Sequence, residues 1–307
     1  MAETADQNKK KDAGVFRSGY IAILGRPNVG KSTLLNQILG EKVAIVSPKP
    51  QTTRNRITGI RTTDASQIVF LDTPGIHQGH SLMNGRMVDT ALQTLDDVDG
   101  VIWLLDAHDR IKQEEERIAE TLRGVETPVL ILLNKIDLVS KGKLLPLMER
   151  CAQLLPGKEI VPVSALKGEG VAVVLEIVEP WLPEGTPFFT GGEYTDQSER
   201  FLASEIVREK VFLLTREEIP YGVAVTIDEF TEKQEKNLIV ISATIHTERD
   251  SHKGILIGKR GAMLKEIGKQ AREELESLLG CRIFLELFVR VDPNWTQNPN
   301  SLAEMGL

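Results

Sequence analysis

The sequence predicts two domains: an α/β domain with a doubly wound, mostly parallel sheet, and a smaller α+β domain after it. Three observations support this prediction. Short apolar runs alternate with amphipathic helical patterns from residue 20 to residue 180. A glycine-rich pattern that is typical of phosphate binding follows the first apolar run. After a proline-rich segment at 180–194, the apolar runs become longer and the alternation ends.

The composition is typical of a soluble globular protein. The chain has 307 residues, of which 41% are hydrophobic and 26% are charged, which is enough for two domains. No apolar run approaches the length of a membrane span and residues 1–11 are polar, so we expect a cytoplasmic protein. Cys151 and Cys281 match no metal or redox spacing. The net charge of −7 argues against a protein that coats nucleic acid, so any nucleic-acid site must be local.

The first domain is expected at 19–182, after a flexible tail at 1–18. It begins with a strand at 20–24 and a helix that ends at Gly40, followed by a polar loop at 47–56. The later elements are a β-hairpin at 57–61 and 68–71, strands at 100–105, 129–133 and 160–163, and helices at 82–95, 111–122, 143–154 and 169–179. Apolar strands separated by helices predict a parallel sheet covered on both faces, with ligands beyond the carboxyl ends of its strands.

The phosphate-binding pattern G-x-x-x-x-G-K-S occupies residues 25–32, between the first strand and the first helix. Its glycines allow consecutive amides to point at one anion, and the helix N-terminus adds its positive dipole end. Lys31 is expected to reach the outer two phosphates, and the Ser32 hydroxyl is expected to hold magnesium. The predicted nucleotide contacts of this loop are Gly25, Arg26, Pro27, Asn28, Val29, Gly30, Lys31, Ser32 and Thr33. The pattern alone does not separate ATP from GTP.

A second motif, Asp-Thr-Pro-Gly at 72–75, follows the next strand of the predicted sheet. The Asp72 carboxylate can reach magnesium through water, and the Gly75 amide can reach a γ-phosphate. This turn sequence is common, so it supports a nucleotide site only together with the other motifs.

Two further motifs at strand ends indicate that the base is guanine. The Asp137 carboxylate of the sequence Asn-Lys-Ile-Asp can accept hydrogen bonds from the ring N–H and the amine of guanine, which adenine lacks on that edge. An adenine there would leave a charged group unpaired, at a cost of about 1 to 3 kcal/mol or more. The contacts expected from these motifs are Asn134, Lys135, Asp137, Ser164, Ala165 and Leu166.

With these four motifs in this order, residues 20–180 resemble the translation-factor-related GTPases. The resemblance implies binding of GTP and magnesium, with a change of shape on hydrolysis. It implies that a threonine of a mobile first switch, Thr53 or its neighbour Thr52, binds magnesium only while the γ-phosphate is present. The expected magnesium ligands are Ser32, Thr53 and Asp72.

One position departs from the Ras-like pattern. Ras-like proteins have a glutamine after this motif that orients the attacking water, whereas this chain has Ile76. Asn28 resembles the asparagine of a subgroup of GTPases that potassium activates. We therefore hypothesise that Asn28 binds potassium together with backbone carbonyls at 47–52. The expected catalytic set is Lys31, Thr53, Gly75 and Asn28.

Three other side chains near the motifs could take part in hydrolysis. Arg54 and Arg56 could supply positive charge to the phosphates, although solvated switch residues are the simpler interpretation. His77 could act as a base, but a histidine without a partner more often has no catalytic role.

The second domain is expected at 198–292, after a linker at 183–197 and before a C-terminal tail at 293–307. Its predicted elements are a helix at 198–216, paired strands at 221–230 and 237–246, two helices around the sequence Gly-Lys-Arg-Gly at 258–261, and a last strand at 283–291. This order matches the bacterial, type II KH arrangement, in which such a loop holds about four nucleotides of single-stranded nucleic acid.

Charge around this loop supports RNA binding. Residues 253–272 contain six basic residues and one acidic residue, in a chain that is acidic as a whole. The apolar residues 255–257 could form a floor on which bases rest. The expected RNA contacts are Lys253, Ile257, Gly258, Lys259, Arg260, Gly261 and Lys265.

The stretches 25–32, 51–54 and 206–221 together resemble the Era family of bacterial GTPases, and the resemblance covers nearly all of 18–295. It implies binding to small-subunit (16S) ribosomal RNA near its 3′ end, during assembly of the 30S ribosomal subunit. We expect a monomer with GTP as substrate and magnesium as cofactor. The basic triplet at 9–11 leaves open a weak peripheral association with the inner face of the cell membrane.

An alternative is a non-catalytic RNA-binding scaffold that uses GTP as a structural ligand, because Ile76 cannot orient water. If the switch communicates with the second domain, the GTP form should bind RNA more tightly than the GDP form.

Overall fold

The computed structural model describes residues 15–76 and 82–306, and it confirms an α/β domain followed by a smaller α+β domain. The elements of the first domain are β1 (Arg17–Gly25), α1 (Lys31–Leu39), β2 (Ile57–Thr62), β3 (Ser66–Asp72), α2 (Leu82–Gln93), β4 (Gly100–Asp106), α3 (Gln113–Arg123), β5 (Val129–Asn134), α4 (Leu144–Leu154), β6 (Glu159–Pro162) and α5 (Val171–Val178).

Six strands form the first sheet in the order β2-β3-β1-β4-β5-β6. Only β2 is antiparallel to its neighbour, as expected for a hairpin with β3. Helices α1 and α5 pack on one face, and α2, α3 and α4 pack on the other. The strands are buried on both faces, which explains their continuous apolar runs. The carboxyl ends of β1, β3 and β5 therefore bring their motifs to one edge.

The second domain contains α6 (Glu199–Leu214), β7 (Val223–Lys233), β8 (Leu238–Thr247), α7 (Asp250–Ile257), α8 (Ala262–Leu279) and β9 (Arg282–Val291). Its sheet has the order β7-β8-β9, with β7 antiparallel and β9 parallel to β8. Helices α6, α7 and α8 contribute apolar side chains to the core that covers one face of this sheet. Among the residues described, no helix is both long and apolar enough to span a bilayer.

The first strand begins earlier than the sequence indicates. Arg17 pairs with Ser66 in the sheet, and Ser18 is buried, so these two residues belong to the domain and not to a tail. The Ser18 hydroxyl donates to the Thr186 carbonyl at 2.8 Å. The expected linker therefore lies against the first domain, where the Phe188 ring stacks on Tyr20.

The C-terminal segment is folded, where the sequence predicts a tail. A 3-10 turn at Trp295–Gln297 precedes α9 (Pro299–Glu304). Trp295 and Leu302 are fully buried and pack with Met87 of α2. The prediction missed this contact because a few scattered apolar residues show no periodicity, and some of their partners, such as Met87, belong to the other domain.

Candidate functional site

The phosphate-binding loop joins β1 to α1, and the Asn134 side chain ties it to the guanine motifs. Asn134 Nδ2 donates to the Val29 carbonyl at 2.7 Å, and Asn134 Oδ1 accepts from the Ala165 amide at 2.9 Å. Gly30 has a φ of +102°, and a Cβ there would lie 2.3 Å from Asn134 Nδ2. Only glycine fits this position, because both the conformation and the close approach exclude a side chain.

Three oxygen-bearing side chains meet beneath this loop. Ser32 Oγ donates to Asp72 Oδ2 at 2.6 Å and lies 2.8 Å from Thr53 Oγ1. Asp72 is fully buried, and its Oδ1 has no hydrogen-bond partner within the described chain. Carboxylate and hydroxyl oxygens are hard ligands, and an orphaned carboxylate oxygen calls for a cation or water, so this set fits magnesium.

Burial shifts the pKa values of the two charged groups at this point. Burial raises the pKa of Asp72 to about 6, although the nearby Lys31 ammonium partly opposes the shift. Burial lowers the pKa of Lys31 to about 8. Lys31 Nζ donates to the carbonyls of Gly25 and Arg26, at 3.2 and 3.1 Å. A cavity of about 370 Å³ opens beside it, lined by the phosphate-binding loop and by residues of the segment 45–53.

The structure separates the roles of the two neighbouring threonines. The Thr52 hydroxyl lies 2.7 Å from Ser47 Oγ and donates to the Lys49 carbonyl at 2.8 Å, so it is used inside its own loop. The Thr53 hydroxyl lies beside Ser32. Of the two, only Thr53 is next to the candidate magnesium ligands.

The guanine motifs lie beyond the carboxyl ends of β5 and β6. Ser164 Oγ donates to Asp137 Oδ1 at 2.7 Å, which leaves the other carboxylate oxygen for a ligand. Lys135 Nζ donates to the Asn28 carbonyl at 2.6 Å and pairs with Asp106 at 2.7 Å. Lys135 therefore braces the phosphate-binding loop from the base side. Leu166 is 75% exposed beside these groups.

Several side chains that the motifs single out point elsewhere. The Arg26 guanidinium is bonded to Glu115 and, at 3.1 Å, to Asp109, so it braces the loop against α3. Ile76 packs against the core on the α2–α4 face, where it cannot orient water. The candidate base His77 lies outside the described residues.

The two arginines considered as charge donors lie in different environments. Arg54 is buried against the second domain, so its guanidinium is not presented to the phosphates. Arg56 is exposed, as expected for a solvated switch residue.

The loop at 258–261 connects α7 to α8, as the sequence predicts. Gly258 has a φ of +73°, and a Cβ there would lie 2.9 Å from the Met263 nitrogen, so this turn also needs glycine. Lys259, Arg260 and Lys265 are exposed, and none forms an ion pair within the part of the chain that the structure describes. Free cations on a tight glycine turn can approach a phosphodiester backbone closely.

The apolar residues before this loop are helical and only partly available. Leu256 is fully buried in the core of the second domain, so it cannot support a base. Ile255 is 49% exposed and Ile257 is half-buried. The predicted three-residue floor is therefore wrong for Leu256, because a helix turns successive side chains to different faces.

Contacts between the two domains were not found from the sequence. Arg208 and Glu209 of α6 bond to the segment 46–52 of the first domain. The only sequence signal for these residues was the resemblance of 206–221 to a known family, which says nothing about what they touch.

Comparisons with known proteins match both domains. The family of 50S ribosome-binding GTPases matches residues 20–135, and the KH domain family matches residues 218–296. GTPase Era of Geobacter metallireducens is 51% identical over 291 residues, which cover 95% of this chain and 98% of that protein. GTPase Era of Syntrophus aciditrophicus is 53% identical over 292 residues, with 95% of each chain covered.

Two solved structures share the whole architecture. One is a variant of Era from Aquifex aeolicus bound to GDP·AlF4−, and the other is Era in complex with MgGDPNP and nucleotides 1506–1542 of 16S ribosomal RNA. Each is 42% identical with a TM-score of 0.91, and covers 95% of this chain and 99% of the solved chain.

Proposed function

The chain belongs to the Era family of GTPases, and from that premise we propose that it binds 16S ribosomal RNA near its 3′ end as a GTP-hydrolysing switch in assembly of the 30S subunit. The observation that supports this most directly is that one chain contains both the candidate guanine-nucleotide site and an exposed basic glycine turn at 258–261. A solved member of the family holds MgGDPNP and nucleotides 1506–1542 of 16S ribosomal RNA.

In the proposed site, Lys31 and the loop amides hold the β- and γ-phosphates, and Asp137 selects guanine. Ser32, Thr53 and Asp72 would hold magnesium, which neutralises charge that develops on the phosphates during transfer. The remaining nucleotide contacts are those predicted from the sequence, with the Arg26 side chain as a brace. The Gly75 amide, which lines the same cavity, would donate to the γ-phosphate. Membership of a GTPase family favours this enzyme over a scaffold that binds GTP only as a structural ligand.

The attacking water needs a partner other than Ile76. We place potassium near Asn28, whose Nδ2 donates to the Pro48 carbonyl at 2.8 Å and so already lies against the first switch. Its Oδ1 and the carbonyls at 47–52 are suitable oxygen ligands for a monovalent cation. Hydrolysis should be faster in potassium chloride than in sodium chloride at equal ionic strength. Equal rates would remove potassium from the mechanism, and an Asn28→Ala variant that keeps the potassium effect would remove Asn28 as the potassium ligand.

RNA binding is tested by replacing the two exposed cations of the turn. The double variant Lys259→Gln, Arg260→Gln should bind single-stranded RNA of the 16S 3′ end at least about tenfold more weakly, with a salt dependence of log K reduced by about 1.4. GTP affinity should not change. The matched control is Lys141→Gln, Lys143→Gln, which removes two exposed lysines from a 3-10 turn of the first domain. If both double variants lose RNA affinity equally, RNA binding depends on the overall positive charge of the protein and not on the turn at 258–261.

The remaining proposals concern location and assembly. We place the protein in the cytoplasm with its ribosomal partner and infer that it is a monomer, which sedimentation analysis tests. A weak peripheral membrane association through the basic triplet at 9–11 is a separate proposal. It requires that removal of residues 1–14 reduces binding to anionic vesicles.

A further inference from the structure

The first switch, the segment 47–56, is bonded to the second domain on both sides of Thr53. On one side, Arg208 Nη2 of α6 donates to the carbonyl of Thr52. On the other side, the Arg54 guanidinium donates to three carbonyls at the start of the second-domain sheet. These are the carbonyls of Val223 at 2.6 Å, Tyr221 at 3.0 Å and Pro220 at 3.1 Å.

Both arginines are buried, so these bonds are strong. Arg208 is 3% exposed and Arg54 is 4% exposed. Their guanidinium carbons lie 5.2 and 5.6 Å from the centre of the Phe212 ring, and Glu205 pairs with Arg208. A buried hydrogen bond from a charged donor is stronger than an exposed one, and an unpaired buried charge is costly. The two side chains therefore have little freedom to move away from the switch.

The Thr52 carbonyl belongs to the peptide unit that also contains the Thr53 nitrogen. This unit is planar, so a bond that fixes the carbonyl also fixes where the backbone of Thr53 begins. The Thr53 hydroxyl then lies 2.8 Å from Ser32 Oγ, next to the candidate magnesium ligand Asp72. Arg208 of the second domain thus helps to fix the position of Thr53 in the nucleotide site.

We propose that Arg208 is a positioning residue for GTP hydrolysis, which holds the first switch so that Thr53 faces the magnesium site. The inference rests on the proposed role of Thr53. It also gives a role to the stretches 51–54 and 206–221, which the sequence singled out for resemblance alone and which meet across the domain interface. The second domain is, on this view, part of the GTPase site as well as an RNA reader.

The proposal predicts a difference between nucleotides. Thr53 engages magnesium only while the γ-phosphate is present, so the arginine stabilises the GTP state and leaves the GDP state alone. In a variant without Arg208, a smaller fraction of the protein has the switch in the arrangement that binds GTP. The apparent affinity for GTP then falls by that fraction.

The test uses the full chain with Arg208→Gln, and Arg200→Gln as its matched control. Arg200 lies on the same helix, is exposed, and donates to the Ile227 carbonyl at 2.9 Å inside the second domain. For Arg208→Gln we expect kcat/KM for GTP to fall about tenfold and the magnesium concentration for half-maximal rate to rise. Affinity for GDP should stay within about twofold, and Arg208→Lys should recover part of the rate. Arg200→Gln should match the parent.

Two results would overturn the proposal. If GDP and a non-hydrolysable GTP analogue both bind more weakly by the same factor, Arg208 has only a structural role. If neither hydrolysis nor the magnesium requirement changes, it has no role at the site. Thermal unfolding of each variant identifies any loss of activity that comes from misfolding. If Arg208→Gln is misfolded, the same comparison of nucleotides is made with Arg208→Lys, which keeps the buried charge.

A double-mutant cycle with Thr53→Ala separates this inference from the proposed function. If Arg208 acts through Thr53, adding Arg208→Gln to Thr53→Ala should cost less than about twofold, and additive losses would contradict it. If Thr53→Ala itself leaves hydrolysis unchanged, the assignment of the magnesium site fails. If Thr53→Ala slows hydrolysis and Arg208→Gln does not, only the positioning role fails.

Discussion

Within the described residues, the guanine motifs are braced by groups of the first domain, whereas the first switch is braced in part by the second domain. On the base side, Asn134 joins the phosphate-binding loop to the Ala165 amide, and Lys135 joins that loop to Asp106. All of these groups lie at the ends of strands of one sheet. The first switch pairs with no strand in the part of the chain that the structure describes, and its long-range contacts include Arg208 and the carbonyls that accept from Arg54.

This difference suggests a division of labour within one pocket. The groups proposed to recognise guanine are held by the first domain, so we expect the base to be recognised in both nucleotide states. The groups proposed to sense the γ-phosphate are held in part by the second domain. Coupling needs an element whose arrangement both sites bias, and the switch is placed to be that element.

The largest expected effect comes from the base side. Asp137→Asn removes the acceptor for two guanine donors, and we expect GTP and GDP affinities to fall equally, by at least about a thousandfold. Xanthine has a carbonyl in place of the amine, so the variant should bind XTP more tightly than GTP. Calorimetric titration of GTP, GDP and XTP measures this.

The contrast between the two sides also predicts what Asp137→Asn leaves alone. Thermal stability and contacts at the switch should match those of the parent protein. Ser164→Ala is a milder control, which removes the bond to Asp137 and the one accepted from the Lys167 amide. A loss confined to GTP, with GDP binding intact, would mean that the base side depends on the switch.

Arg54→Ala should produce the next largest effect, on stability. It leaves three buried carbonyls without their donor, and we expect the free energy of unfolding to fall by about 2 kcal/mol. Urea denaturation followed by tryptophan fluorescence measures this, and one of the three tryptophans, Trp295, is buried where the C-terminal segment meets α2. The control Arg56→Ala replaces an exposed arginine two residues away. If both variants lose the same stability, the interface does not depend on the buried arginine.

Coupling between nucleotide and RNA should be smaller still. We expect the 16S 3′-end RNA to bind about five to ten times more tightly with a non-hydrolysable GTP analogue than with GDP, a coupling of about 1 kcal/mol. By reciprocity the same RNA should tighten binding of the analogue by the same factor. Fluorescence anisotropy in both directions measures this, and the Arg208→Gln variant should reduce the ratio toward one.

Equal RNA affinity in the two nucleotide states would show that the shared switch contacts do not transmit the nucleotide state. The switch would then resemble the guanine motifs, because neither region would pass the nucleotide state to the RNA-binding domain.

Much of the fold and of the nucleotide site is predictable from the sequence because local patterns encode it. Apolar runs locate the strands, and a motif at a strand end, such as Asp72 or Asn134, needs only the parallel topology to reach its partners. The dominant contacts of Arg54 and Arg208 were not predictable, because they depend on how two domains meet. Periodicity identifies the apolar face of a helix but not the element that packs against it. For the same reason the sequence predicts a tail where Trp295 is in fact buried.

The smallest expected effect concerns the charge cluster at the edge of the same interface. Lys42 pairs with Glu209 and Glu274, but its side chain is 39% exposed, and Lys210 bonds the same two carboxylates. Glu209 also accepts from the Val46 amide at 2.8 Å. Lys42→Ala therefore leaves no buried charge unpaired, and we expect a loss of less than about 1 kcal/mol.

Lys210→Ala is the matched comparison for Lys42→Ala, because Lys210 is only 9% exposed and pairs with the same carboxylates. It should cost more, since a buried partner that is removed leaves Glu209 dependent on a half-exposed lysine. Urea denaturation of both variants at low and high salt measures the difference, and the effect of Lys42→Ala should shrink with salt. If Lys42→Ala instead destabilises the protein as much as Arg54→Ala, the interface is held by its exposed charges. The switch would then be held loosely, and its contrast with the base side would disappear.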